Sequence, residues 1–192
     1  MIITISGLAG SGKSTVAQKL EQILHWKRIY VGGIRRELAK KKGITLEELN
    51  QYAQTHPETD VDVDTKAAAE AIALEKKGKN VIVEGRTQFH FLPQSFKVYI
   101  KVSPAEAARR IWKDLQDKQK KKQRNEGEYK SLATLKKFII ARNENDARRY
   151  QKYYGFDHRD ESQYDLIIDS TTISADEVVK KILEYMKKKR LQ

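Results

Sequence analysis

Short runs of apolar, mostly β-branched residues alternate along this chain with longer stretches whose apolar residues recur every three or four positions. The short runs predict strands, and the longer stretches predict amphipathic helices. Strands are predicted over residues 2–5, 28–31, 81–84, 96–102 and 164–169. Helices are predicted over 16–24, from about 34, over 46–53, over 67–77, and from 104, 132 and 175. The alternation indicates an α/β chain, and 192 residues suit a single domain with a sizeable core.

The loop between the first strand and the first helix carries a phosphate-binding pattern. Residues 7–14 read GLAGSGKS, which is the Gly-x4-Gly-Lys-Ser/Thr pattern of a P-loop. We expect its backbone N–H groups to surround the phosphates of a nucleoside triphosphate, with Lys13 at the β- and γ-phosphates and the Ser14 hydroxyl on Mg²⁺. The strand before and the helix after argue against a glycine-rich turn that binds nothing. The predicted triphosphate-binding residues are Gly7, Leu8, Ala9, Gly10, Ser11, Gly12, Lys13, Ser14 and Thr15.

A carboxylate, a glycine and an arginine follow the third predicted strand. Because ligands bind outside the carboxyl ends of parallel strands, we expect Glu84, Gly85 and Arg86 to face the P-loop. Glu84 suits a contact with Mg²⁺ through water, and Arg86 suits a bidentate contact with a phosphate. The alternative is that Glu84 and Arg86 only pair with each other.

Two arginines after the second strand form another candidate anion site. Gly32 and Gly33 end that strand, and the helix after them carries Arg35 and Arg36 in its first turn. These residues form a second anion site, or they are solvated arginines after a plain strand-to-helix turn. This segment alone leaves both interpretations open.

Three aspartates at alternate positions precede the alanine-rich helix predicted over 67–77. They are Asp60, Asp62 and Asp64, and they are not the start of an EF-hand because Thr65 and Ala71 replace the required glycine and glutamate. We expect them near the helix N-terminus, where the helix dipole favours acids. One or two of them are candidates to hold the arginines, or the ribose or base of an acceptor.

The helix predicted from Leu132 and the segment before it are both rich in charge. Residues 118–127 contain no apolar side chain, so we expect a mobile segment, either a lid over phosphates or a solvated charge run. In the helix from Leu132, Arg142, Asp146 and Arg149 share one face, so Asp146 can orient both guanidinium groups toward developing charge. The alternative is a salt-bridged helix face in solvent.

Composition narrows the choice of ligand and compartment. The chain has 38 Lys and Arg against 26 Asp and Glu, a net charge of +12, which suits anionic ligands, whether nucleotides or nucleic acid. No run approaches the roughly 20 apolar residues of a membrane span, no signal peptide is expected, and the absence of cysteine excludes disulfides. We expect a cytoplasmic protein that does not bind membranes.

The order and spacing of these motifs resemble the archaeal-type cytidylate kinases, a family of P-loop nucleoside monophosphate kinases. The resemblance extends over nearly the whole chain, and five stretches carry it: 3–12, 32–39, 83–86, 148–157 and 164–169. It implies transfer of the ATP γ-phosphoryl group to CMP or dCMP with Mg²⁺. It implies Lys13, Arg86, Arg142 and Arg149 as catalytic residues, with the two last on the lid side. It implies Arg36 and Arg86 at the acceptor phosphate, and the full set of predicted acceptor-site residues is Gly32, Gly33, Arg36, Asp60, Asp64, Gly85 and Arg86.

The same resemblance implies a fold and its division into segments. The expected fold is a three-layer P-loop NTPase fold, a five-stranded parallel sheet flanked by helices in a single domain over 1–192. The core covers about 1–31, 79–115 and 150–192, the acceptor-binding helices about 32–78 and the lid about 116–149. A monomer is expected.

Three features of the sequence depart from the family pattern or point elsewhere. Gly33 replaces an acidic residue and Arg35 replaces an aromatic one, which leaves the acceptor base open. The basic segment 118–130 is longer and more charged than the family pattern. A kinase for another nucleoside monophosphate or a small phosphorylated acceptor is therefore one alternative. A nucleotide-regulated nucleic-acid-binding protein is another, although no aromatic platform accompanies the basic stretches.

Overall fold

A single parallel sheet forms the centre of the protein. The computed structural model describes residues 1–190, and the side chains of residues 1–189. Its strands are β1 (Ile2–Gly7), β2 (Lys27–Tyr30), β3 (Val81–Glu84), β4 (Phe96–Lys101) and β5 (Leu166–Asp169). They pair in the order β2-β3-β1-β4-β5, and every pairing is parallel. The predicted five-stranded parallel sheet is confirmed.

Helices flank the sheet on both faces. They are α1 (Lys13–Leu24), α2 (Val31–Lys41), α3 (Leu46–Tyr52), α4 (Glu58–Lys76), α5 (Gln88–Phe91), α6 (Pro104–Gln116), α7 (Lys118–Arg124), α8 (Leu132–Tyr154) and α9 (Ala175–Arg190). A short 3-10 turn covers Glu161–Gln163. In the part of the chain that the structure describes, no helix is both long enough and apolar enough to cross a membrane.

Alternate residues of the central strand supply two separate cores. Ile3 and Ile5 of β1 pack with α1 and α9, where Leu20 and Ile182 are fully buried. Ile2 packs on the opposite face with β3 and with the alanines of α4. Every residue of β1 is buried, as expected of a strand covered on both faces, and the polar side chains of Thr4 and Ser6 are hydrogen-bonded to Ser95 and to the Gly85 carbonyl. The result is the expected three-layer arrangement, with helices on both sides of the sheet.

Side-chain caps define several helix starts. Thr45 and Glu48 form a reciprocal capping box at α3, and Ser174 and Glu177 form the same pair of contacts at α9. Ser103 accepts from the Glu106 amide at the start of α6. These caps satisfy N–H groups that the first turn of a helix leaves without a partner.

Two predicted helix starts are wrong, and both errors concern site residues. The second helix begins at Val31, so Gly32 and Gly33 lie in its first turn and not in a loop before it. The fourth helix begins at Glu58, so Asp60 and Asp64 lie within it and not ahead of it. Asp60 lies in the first turn of α4, where the helix dipole favours an acid, whereas Asp64 lies further inside, where aspartate is disfavoured because it competes for backbone hydrogen bonds. Both carboxylates are buried and held by side chains.

The basic segment after α6 forms a helix, and its mobility and its part as a lid stay predictions. Asp117 caps α7 by accepting from the amides of Gln119 and Lys120 at 2.9 and 3.0 Å. No residue of α7 is buried, which agrees with the lack of apolar side chains in this segment. A helix can form without a buried face because a capped turn of lysines and glutamines satisfies its own backbone.

Candidate active site

A cleft of about 850 Å³ opens at the carboxyl ends of β1 and β3. Most of the predicted site residues line it: Ala9, Gly10, Gly12, Lys13, Ser14, Thr15, Gly32, Gly33, Arg36, Asp60, Asp64, Glu84, Gly85, Arg86 and Arg142. Four predicted residues lie outside this lining: Gly7, Leu8, Ser11 and Arg149. Ser11 lines an adjoining cavity of about 430 Å³, together with residues of the loop after β5. The structure therefore brings residues distant in sequence to one cavity.

The P-loop adopts a backbone that requires glycine. Gly7, Gly10 and Gly12 have φ angles of +145°, +78° and +86°. A Cβ on Gly10 would lie 2.8 Å from the backbone of Ala107 in α6, so the loop packs too closely there for any side chain. Gly12 is the N-cap of α1 and offers no side-chain cap, which leaves the first N–H groups of the helix for an anion.

Lys13 lies at the centre of the positive charge in the cleft. Its Nζ atom donates a hydrogen bond to the Leu8 carbonyl at 2.9 Å. Burial, and then the charges of Arg86, Arg142 and Arg36, lower the pKa of Lys13 to about 7, while Glu84 opposes them. Lys13, Arg36, Arg86 and Arg142 lie in one region, where the negative charge of the protein does not fully offset their positive charge. A bound polyphosphate would supply that charge.

Ser14 and Glu84 form a pair of oxygen ligands beside Lys13. The Ser14 hydroxyl donates to Glu84 Oε1 at 2.5 Å, and Arg28 donates to Glu84 Oε2 from Nη2 at 2.9 Å. A hydroxyl and a carboxylate side by side are the hard donors that Mg²⁺ takes from a protein when phosphates and waters complete its shell, so the residues fit this ion. The alternative pairing of Glu84 with Arg86 is wrong.

Arg28 was not a predicted site residue, although its contact with Glu84 fixes that carboxylate. It lies on β2, and the parallel register places Tyr30 opposite Glu84 on β3. The sequence gives no signal for this contact, because it depends on which strand lies beside β3. A basic residue near the end of a predicted strand has many possible partners.

A buried chain of alternating charges connects Arg86 to α4 and α2. Arg86 forms an ion pair with Asp146 Oδ2, and Arg149 donates to Asp146 Oδ1 at 2.8 Å. Arg149 also donates to Asp60 Oδ2 at 2.6 Å, and Arg35 pairs with Asp60 Oδ1. The prediction that Asp146 orients Arg142 and Arg149 is therefore half wrong. Asp146 orients Arg149 and Arg86, whereas Arg142, four residues before Asp146, pairs with Glu126.

Arg149 has its guanidinium fully engaged within the protein. Besides Asp60 and Asp146, it donates from Nη1 to the Asn50 carbonyl at 3.5 Å, and only 3% of the residue is exposed. This arrangement gives Arg149 a part in holding α8 against α3 and α4. A direct part in catalysis stays a prediction.

Arg36 is held at the entrance of α2 by Tyr30. Its Nη1 atom donates to the Tyr30 hydroxyl at 2.7 Å and to the Gly32 carbonyl at 3.0 Å. The ring of Tyr30 also lies over Gly33, where a Cβ would approach Tyr30 Cδ1 to 2.6 Å. Tyr30 therefore occupies the space that a side chain at position 33 would need. Tyr30 was not predicted as a site residue, because the strand pattern of β2 identifies it only as part of a strand.

The two cleft-lining aspartates are satisfied by protein groups. Asp64 accepts from Gln88 Nε2 at 3.1 Å and from the Tyr154 hydroxyl at 2.9 Å. Burial, and then the charge of Asp60, raise the pKa of Asp64 to about 6. Both carboxylates form part of the cleft wall, and a contact with an acceptor stays a prediction.

The chain is similar to known proteins over most of its length. A family model described as an AAA domain matches residues 3–131. A cytidylate kinase of Archaeoglobus fulgidus is 38% identical over 195 residues, covering all of this chain and 98% of that protein. A cytidylate kinase of Pyrococcus furiosus is 36% identical over 93% of this chain and 84% of its own.

Two further similarities extend this comparison. A protein of Lacinutrix mariniflava named S-adenosylmethionine-dependent nucleotide dehydratase is 33% identical over 97% of this chain, which spans 36% of that protein's length. Among solved structures, a shikimate kinase of Bacteroides thetaiotaomicron superposes with a TM-score of 0.61 at 17% identity, over 97% of this chain and 98% of its own. That similarity shows the fold alone.

Proposed function

This chain belongs to the archaeal-type cytidylate kinase family of P-loop kinases. We propose that it transfers the γ-phosphoryl group of ATP to CMP or dCMP. The observation that carries the proposal is the content of the cleft. A P-loop with Lys13 lines one side, and Arg36, Arg86 and Arg142 line the other.

The number of cations supports two anionic substrates and not one. Lys13 and the amides at the start of α1 are sufficient for the phosphates of a donor nucleotide. Three further arginines act on the charge of Lys13, so they lie within electrostatic range of the same point. Their purpose in a kinase is to hold a second phosphate and to stabilise the charge that develops during transfer.

A phosphate acceptor also explains why the proposed reaction needs no general base. The attacking oxygen of a nucleoside monophosphate is already ionised near neutral pH, so catalysis consists of bringing two mutually repelling phosphates into line. In this scheme Arg36 and Arg86 hold the acceptor phosphate, and Arg142 contacts the transferred group. Lys13 stays in contact with the γ-phosphoryl group during its transfer.

Ser14 and Glu84 are the residues that would hold Mg²⁺, Ser14 directly and Glu84 through water. When bound, the ion would supply positive charge that offsets the charge of the donor phosphates. Arg28 would keep Glu84 in place beside Ser14 through its contact at 2.9 Å.

The choice of base rests on family membership and is the least constrained part of the proposal. The lining of the cleft includes Tyr30, whose ring lies over Gly33, and Asp64, which accepts a hydrogen bond from the buried Gln88. Phosphate recognition by Arg36 and Arg86 is independent of the base. Other nucleoside monophosphates and small phosphorylated acceptors therefore belong in the same test.

The test is a coupled assay of ADP release with ATP and Mg²⁺ across CMP, dCMP, UMP, AMP and GMP. We expect CMP and dCMP to give the highest kcat/KM. A Lys13→Met variant, prepared in the same way, controls for contaminating kinases and should show no acceptor-dependent turnover. Absence of turnover with every acceptor would overturn the proposal, and a clear preference for another base would correct its substrate.

A further inference from the structure

A carboxylate of the lid segment occupies the centre of the arginine cluster. Glu126 lies in the loop between α7 and α8. Its Oε1 atom is 3.2 Å from Arg142 Nη1, 3.5 Å from Arg124 Nη1 and 4.0 Å from Arg36 Nη2. Glu126 and these three arginines are called the Glu126 cluster below. All four residues line the cleft.

The Glu126 carboxylate is buried and ionised. Its side chain is 3% exposed. Burial raises the pKa of Glu126, but Arg142, Arg124 and Arg36 together lower it by more, so the net direction is downward. Arg124 is also held by Asp114, to which its Nη2 donates at 2.6 Å, so Glu126 is shared chiefly between Arg36 and Arg142. Arg142 Nε makes no hydrogen bond within the described part of the chain, so this guanidinium keeps a buried donor that Glu126 does not satisfy.

The same loop attaches the lid segment to the acceptor-binding helices. The Leu46 amide donates to the Asn125 carbonyl at 2.9 Å, and Asn125 Nδ2 donates to the Ile44 carbonyl at 3.1 Å. Arg36 Nε donates to the Arg124 carbonyl at 3.0 Å. The backbone around Glu126 is thus bonded to α2 and to the start of α3.

We propose that Glu126 is an internal competitor for substrate phosphate, one that fastens the lid segment to α2 and α3 until a phosphate takes its place at Arg36 and Arg142. The identity of the incoming phosphate rests on the proposed function. The competition itself rests on the cluster. A phosphate carries more charge and more acceptor oxygens than a carboxylate, so it satisfies guanidinium donors that Glu126 leaves over.

Glu126 could compete with substrate phosphate or could support the arginines, and these two roles predict opposite changes in acceptor affinity when the charge of Glu126 is removed. If Glu126 competes, part of the binding energy of the acceptor is used to displace it, and apparent affinity is reduced by the fraction of protein whose arginines are free. If Glu126 instead orients the arginines for substrate, its loss weakens binding. The sign of the affinity change therefore decides between them.

The experiment compares Glu126→Gln, which keeps the shape and removes the charge, with a matched control, Glu128→Gln. Glu128 lies two residues further on, its side chain is 86% exposed, and within the described residues it contacts only Lys121. We expect Glu126→Gln to bind CMP about fivefold more tightly by calorimetry, and its Leu46 amide to exchange with solvent faster. The control should match wild type in both measurements.

Two results would overturn the proposal. Weaker CMP binding by Glu126→Gln would make Glu126 a support for the arginines, and unchanged exchange at Leu46 would show that it does not fasten the lid segment. If neither CMP nor any other monophosphate is bound or phosphorylated, the proposed function fails on its own. Inorganic phosphate then replaces CMP in the titration, and the sign of its affinity change together with Leu46 exchange still decides the proposal.

Discussion

Asp146 of α8 holds Arg86 of the loop after β3 through an ion pair between Oδ2 and Nη1. Asp146 is completely buried, and its other oxygen accepts from Arg149 at 2.8 Å. A guanidinium that pairs at one edge with a fixed carboxylate has its remaining N–H groups directed away from that partner. Asp146 is therefore positioned to fix the direction from which Arg86 meets a ligand in the cleft.

Asp146→Asn should separate the positioning of Arg86 from the binding of ATP, the phosphoryl donor. The variant keeps the shape of the side chain and removes the charge that holds Arg86. We expect kcat to fall about 10- to 100-fold and KM for the acceptor to rise, because small displacements of a catalytic group are costly, while the Kd for ATP changes little. Steady-state kinetics and an ATP titration give this comparison.

Breaking a buried ion pair also costs stability, about 3–5 kcal/mol, so unfolding must be measured and the assays run well below the transition. Glu144→Gln is the control, since Glu144 lies on the same helix, pairs with Arg159 and is 54% exposed. Wild-type kinetics in folded Asp146→Asn would show that Arg86 does not depend on this carboxylate.

Arg86→Ala should lose acceptor-dependent turnover while ATP binding is retained. Arg86 lies on the cleft wall, and its charge acts on Lys13 more strongly than that of any other arginine. We expect kcat/KM for the acceptor to fall by about 10³-fold, the scale of a lost arginine in phosphoryl transfer, with an ATP Kd within about threefold of wild type. Arg148→Ala, at an exposed position of α8, is the control. An equal loss of ATP affinity would move Arg86 to the donor side.

The sequence identifies the residues whose chemistry is local and misses those whose partners are distant. The P-loop and the Glu84 to Arg86 stretch could be predicted because strand, turn and helix are consecutive, and a parallel sheet exposes the carboxyl ends of its strands. Helical spacing placed Asp146 beside Arg149 correctly. It could not reveal Arg86 as the second partner, because that contact depends on how α8 crosses the sheet.

The missed residues have the same physical origin. Arg28 contacts Glu84 only because β2 pairs with β3, and Glu126 meets Arg36 only because the lid segment packs on α2. Tyr30 explains why the position after Gly32 is glycine, yet nothing in the sequence places its ring there. Such contacts depend on how distant elements pack together, and local periodicity carries no information about that packing.

Tyr30→Phe should affect the acceptor alone. The substitution removes the hydroxyl that accepts from Arg36 at 2.7 Å and keeps the ring over Gly33. Arg36 retains its contacts with the Gly32 and Arg124 carbonyls, so the loss is that of one hydrogen bond, and we expect KM for the acceptor to rise about three- to tenfold. Tyr52→Phe, on the exposed side of α3, is the control. An unchanged acceptor KM would contradict a role for Tyr30 in holding Arg36.

Asp64 makes stability depend on pH in a direction that can be derived. Its pKa is raised to about 6 by burial and by Asp60, with Thr87, Tyr154 and Arg35 opposing. An unfolded chain releases this proton near the ordinary value, about pH 4. Between about pH 4 and 6 the folded state therefore holds more protons than the unfolded state. Stability from this group is fully present below pH 4 and declines as the pH rises through 6.

Asp64→Asn removes the titrating carboxyl group, so the stability of the variant relative to wild type should increase as the pH rises. We expect the difference in unfolding free energy, variant minus wild type, to increase by on the order of 2 to 3 kcal/mol between pH 4 and 7. Urea unfolding across this range measures it, and groups that titrate in both proteins cancel in the difference. Asp62→Asn, at an exposed position of the same helix, should show a difference that does not vary with pH. A pH-independent difference for Asp64→Asn would mean that Asp64 is ionised in the folded protein throughout, with Gln88 and Tyr154 stabilising its charge.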